Sequence, residues 1–79
     1  MDKLTRSTLT QLHDQLVDIV NNIRVIGNHE QEKYNNAPIN LKDSERVQAW
    51  HDCASVIEVV CDELESAACA LSTDVLDVY

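Results

Sequence analysis

Val47, Trp50, Ala54, Ile57, Cys61, Leu64, Ala68 and Leu71 follow one another at spacings of 3, 4, 3, 4, 3, 4 and 3. A run of this period sets one stripe of a helix against a neighbour, and it excludes a strand, whose side chains alternate with period two. Beside it lies a second line, Ala49, Cys53, Val56, Val60, Ala67 and Ala70, broken only by Glu63. One partner helix covers one stripe, so two adjacent stripes make a face too wide for a single neighbour. The first half carries a seam of its own, Leu9, Leu12, Leu16, Ile19, Ile23 and Ile26, spaced 3, 4, 3, 4 and 3. The single Gly and single Pro leave too few turn-formers for a many-stranded sheet or a phosphate-cradling loop. The fold class is all-α.

The pattern predicts a first helix over about residues 5–34, capped at Thr5 with Leu4 stapled to Leu9, or at Thr8 with Gln11 closing a capping box. Gly27 costs such a helix about 1 kcal/mol relative to Ala and permits either a close helix approach or a kink. Asn35-Asn36-Ala37-Pro38 ends it, because the residue before Pro leaves the helical region and Asn tolerates a left-handed C-terminal position. A loop over 35–43 leads to a second helix over about 44–72, with Asp43 or Ser44 as its cap. Residues 73–79 are expected to fold back on the helices; the other arrangement is an exposed arm for a partner. The whole chain, 1–79, reads as one domain.

Two helices of about thirty residues, each about 45 Å long, suit an antiparallel hairpin. A hairpin of 79 residues encloses no core, so the second stripe is expected to bury against another copy. A dimer or higher homo-oligomer follows, most simply a four-helix bundle of two chains, with Ala49, Cys53, Val56, Val60 and Ala67 at the interface.

Fourteen acids against six Lys and Arg give a net charge of −8, which argues against direct nucleic-acid binding. Residues 47–79 hold seven acids and no Lys or Arg. This is either a solvated outer face or an acidic mimic of DNA. No apolar run approaches a membrane span and no secretory segment follows Met1. With three cysteines, an odd number, the reading is a reducing cytoplasm without a disulfide framework. Helical residues eight apart lie about 12 Å apart along the axis, too far to share a metal ion. No catalytic constellation is visible, so neither enzymatic activity nor a cofactor is expected.

The polar loop is the candidate ligand site. Tyr34, Asn36, Asn40, Ser44 and Arg46 gather around a helix N-terminus, whose unpaired N–H groups attract anions, and Arg suits two-pronged recognition of phosphate or carboxylate. The same stretch, Glu32 to Arg46, reads E-x-Y-N-N-x-P-x-N-L-x-x-S-E-R. Followed by a helix with Ala49 and Ile57, it resembles small acidic helical-hairpin proteins of phages and prophages, over about residues 30–68. It departs from them at Trp50 and in its cysteines.

The resemblance implies a phage origin, a helical hairpin and a host-cell cytoplasmic setting. By analogy with small oligomeric phage hairpins it also implies a binding protein that antagonises host defence. Such a protein would sequester a nucleotide immune signal or cap a host defence protein. The other classes are a structural or assembly helper with no small ligand and the acidic DNA mimic.

Overall fold

The Asp2 carboxylate accepts the Thr5 amide at 2.7 Å, and this bond holds its carboxyl below the ordinary aspartate range. In the computed structural model, which describes residues 1–79, α1 accordingly runs Lys3–Asn36 with Asp2 as its cap, not Thr5 or Thr8. A carboxylate both accepts the free amide and answers the positive end of the helix. Thr8 and Thr10 instead donate to the carbonyls of Leu4 and Arg6, at 3.0 and 2.9 Å, as threonines do inside helices. Leu4 is exposed rather than stapled.

At the other end Ala37 is extended (φ −66°, ψ 143°), as a residue before Pro must be. No residue takes a positive φ, so α1 stops without the left-handed Asn that its ending suggests. A single 3₁₀ turn, Ile39–Leu41, leads to α2, Glu45–Ala70, whose cap is Ser44: its hydroxyl accepts the Val47 amide at 3.3 Å. Gln48 Nε2 ties the turn to the helix by donating to the Lys42 carbonyl at 2.6 Å. The C-terminal segment neither turns back nor hangs free. Leu71–Leu76 prolong α2 as a π-helical turn, whose wider winding brings Leu76 into the buried set. The Arg6 guanidinium donates to the Leu76 carbonyl.

The two helices form a hairpin with extents of 60 × 16 × 13 Å. On α2 the first seam lies against α1: Val47, Ala54, Cys61 and Ala68 are buried and Trp50, Ile57, Leu64 and Leu71 half-buried. On α1 the outcome differs from the seam read in the sequence. The line that meets α2 is Leu9, His13, Leu16, Val20, Ile23 and Gly27, whereas Leu12, Ile19 and Ile26 remain 51, 52 and 56% exposed. The reason is the closest line of approach. A Cβ on Gly27 would stand 2.7 Å from Cγ2 of Ile57, and Ala54, Cys61 and Ala68 supply the other small residues along the contact. The thiol of Cys61 reaches the Val20 carbonyl at 3.9 Å. Gly27 therefore serves close approach, within one unbroken helix.

The two sides of the hairpin differ. Arg24, four residues after Val20, pairs with Glu65 at 2.7 Å and Asp62 at 3.6 Å, which marks one side of the contact line. Ile19 and Val60, each one residue before a buried position, are rotated the opposite way. The second side therefore carries Leu12, Ile19 and Ile26 from α1 and Cys53, Val60 and Ala67 from α2, flanked by Ala49 and Val56. From Leu12 to Ile26 and from Cys53 to Ala70 the only acid on it is Glu63. Only seven of the 79 residues are buried.

Replacing Gly27 with Ala places a methyl against the stiff branch of Ile57. The clash outweighs the gain in helix propensity, so Gly27→Ala is expected to lower stability by about 1 kcal/mol net in urea denaturation. A stabilised Gly27→Ala variant would show that the helices do not approach this closely.

Candidate functional site

The end of the hairpin formed by the last turns of α1, the 3₁₀ turn and the first turns of α2 holds all five loop residues singled out in the sequence. It also holds three of the six Lys and Arg of the chain, Lys33, Lys42 and Arg46. The five residues are not equivalent. Tyr34 is half-buried, with its ring centroid 4.8 Å from that of His51 at an interplanar angle of 33°. Lys42 Nζ lies 5.3 Å from the same ring, within the range of a cation–π contact. The Ser44 hydroxyl is committed to the Val47 amide. Asn36 closes α1 and Asn40 lies in the 3₁₀ turn, and both are exposed. Arg46 is exposed too, and its side chain makes neither an ion pair nor a hydrogen bond.

The hairpin brings Tyr34, Lys42 and His51 together, with Tyr34 one heptad after Gly27 on the contact line and His51 four residues after Val47 on the charged side. Arg46 falls one heptad before Cys53, on the apolar side. Lys33 falls on the same side, 5.4 Å from the Trp50 ring centroid and paired with Glu30 at 2.9 Å. The loop residues thus divide into a packed group, Tyr34 with Ser44, and a group available to solvent, Asn36, Asn40 and Arg46. No cleft encloses the five. The concavity of the molecule lies midway along the hairpin on the charged side, floored by Gly27 and bordered by Arg24, Asn28, Gln31 and Glu58.

His51 and Trp50 are the members of this end that loop-centred reasoning overlooks. His51 Nδ1 is buried without a hydrogen-bond partner. The signal lies in the hairpin itself. Antiparallel helices folded about residue 42 place residues at equal distances from the turn side by side, as Gly27 with Ile57 shows; nearly the same mirror pairs Tyr34 with His51.

No group of three or more His, Cys, Asp or Glu side chains converges on a common point. All three cysteines are free, Cys61 buried and Cys53 and Cys69 exposed. No helix is long and apolar enough to cross a membrane. The chain matches no family model, no curated protein and no solved structure.

Because the exposed Arg46 side chain makes no ion pair or hydrogen bond, Arg46→Ala is expected to shift unfolding stability by no more than about 0.5 kcal/mol. Tyr34→Ala removes a half-buried aromatic contact and is expected to cost about 1–2 kcal/mol. Urea denaturation of the two variants checks this, and the reverse order would place Arg46 in the scaffold.

Proposed function

We propose that the protein is a non-enzymatic binding protein that works as a homo-oligomeric helical bundle and antagonises a host defence. The observation that carries this reading is the uncovered apolar side shared by α1 and α2. Contiguous apolar patches of this kind mark association surfaces in soluble chains. The interface residues expected from the sequence, Ala49, Cys53, Val56, Val60 and Ala67, are all exposed in the single hairpin and are available for it. The defence-directed role rests on the resemblance of the 32–46 segment to phage hairpin proteins.

Within that role, exposed Arg46 with Lys33 on the same side supports capture of an anionic ligand, a nucleotide signal being the chemistry expected. In an assembly that covers the apolar side, these two cations lie at the margin of the covered surface, where two chains together offer more donors than one. A second reading, an assembly helper with no small ligand, is favoured by the lack of convergence among Tyr34, Asn36, Asn40, Ser44 and Arg46. Both readings keep the bundle and differ at the loop end.

Native mass spectrometry of protein purified from infected bacteria separates them, together with a plaque assay on hosts carrying nucleotide-signalling defences. The expected outcome is a bound small anion and restored plaquing with the wild-type chain. With Arg46→Ala both are lost and the assembly mass is unchanged. A ligand-free assembly with Arg46→Ala fully active would rule out the anion-capturing role.

A further inference from the structure

The large apolar side chains of the hairpin are turned the wrong way for a finished core. The buried positions along the helix–helix contact are mostly small, Gly27, Ala54, Cys61, Ala68 and two valines, Val20 and Val47, with Leu76 at the C-terminal end the one large residue among the seven. The bulky residues Leu16, Ile23, Ile57 and Leu64 are only half-covered, and Leu12, Ile19 and Ile26 are more than half exposed. All of these open toward the same side. A helix in a pair points its contact stripe straight at its neighbour. In a four-helix bundle each helix points its stripe between two neighbours, toward the central axis.

The heptad seam of α1, with Leu12, Leu16, Ile19 and Ile23 at its centre, is aimed in the second way. Its centre is rotated by about half of a helix-to-helix turn from the line that meets α2. The corresponding line on α2 combines Ile57 and Leu64 from the first stripe with Val60 and Ala67 from the second. Both helices therefore direct an unbroken apolar stripe at one common axis outside the single chain.

The surface areas agree. The hairpin exposes 5747 Å². A compact monomer of its 8.9 kDa is expected to expose roughly 4,800 Å². The excess of roughly 900 Å² per chain matches one partner's share of a standard interface, about 800 Å². Charge agrees as well. The net charge is −8, yet from Leu12 to Ile26 and from Cys53 to Ala70 the only acid on this side is Glu63, so two copies approach without opposing carboxylates along most of the contact.

We infer that the apolar side is occupied by one second copy, giving a closed two-fold four-helix bundle whose core is made by Leu12, Ile19 and Ile26 of α1 as much as by α2. The inference rests on the self-assembly stated under Proposed function and deepens it. It fixes the order at two and moves half of the interface onto α1, which the sequence pattern had assigned to packing within the chain. A single two-fold contact consumes the whole stripe of both chains and leaves nothing to propagate.

The test compares matched substitutions in the full chain. Ile19 and Val25 are each 52% exposed in the hairpin, but Val25 points away from the inferred axis. Sedimentation should give a dimer for the wild-type chain, and Val25→Glu should leave it a dimer. Ile19→Glu should weaken association at least about thirtyfold, the scale of an interface hot spot.

Isotope-filtered methyl NOEs on a mixed labelled and unlabelled wild-type sample need no variant to fold. They should show interchain contacts at Leu12, Ile19, Ile26 and Val60 and none at Val25 or Val59. An oligomer larger than a dimer, or one with interchain contacts confined to α2, overturns the inference while leaving self-assembly standing. A folded monomer without interchain contacts overturns both.

Discussion

A pair of packed helices buries one line of each and leaves the remaining sides to water. In this chain that line is lined by small residues. Gly27 lies so close to Ile57 that even a methyl group intrudes, and Ala54, Cys61 and Ala68 continue the narrow contact along α2. Close approach brings backbone near backbone and gains dispersion contacts over a long, thin strip. The same approach has a geometric consequence. With small residues on the line, the larger ones flank it, and because the seams of the two helices are offset to the same hand they flank it on the same side. The apolar side of the hairpin and the charged side marked by Arg24 and Glu65 both follow from where the small residues fall.

In the proposed assembly this arrangement ties stability to association. A chain with seven buried residues has little apolar burial with which to offset conformational entropy, and the proposed second copy is the source of further burial. The charged side contributes little on its own, because the Arg24 pairs with Glu65 and Asp62 are partly exposed and such pairs are weak in water. The loop end keeps its local structure through Ser44, Gln48 and the Tyr34–His51 contact, so it can present Arg46 without depending on it. On this account the bundle is the scaffold and the loop end is the part free to specialise.

Much of the architecture was legible in residue spacing. The first heptad line of α2 named the buried and half-buried apolar residues that line its contact with α1. The break at Ala37-Pro38 followed from backbone chemistry local to those residues, which also narrowed the cap of α2 to Asp43 or Ser44. The phase of α1 was not legible in the same way. Its strongest apolar line runs through Leu12, Ile19 and Ile26, and hydrophobicity alone makes that line the contact; the line actually used runs through Gly27 and Val20, because packing distance outweighs side-chain size there. The Asp2 cap was hidden by two threonines nearby that are equally good caps by type. At the candidate site the composition of the loop was plain, but the side on which each residue falls depends on the pairing of the helices. That is why Tyr34 packs in the contact line against His51, while Arg46, twelve positions further along one polar segment, is exposed on the apolar side.

The central claim is that the folded state is completed only by association. It is tested most directly by the thermal midpoint of the wild-type chain, followed by circular dichroism over a hundredfold range of protein concentration. If folding and assembly are one transition, the midpoint rises steadily with concentration and the transition stays single, as mass action requires. A midpoint that does not move with concentration, for a chain that sediments as a folded monomer throughout, would contradict the account.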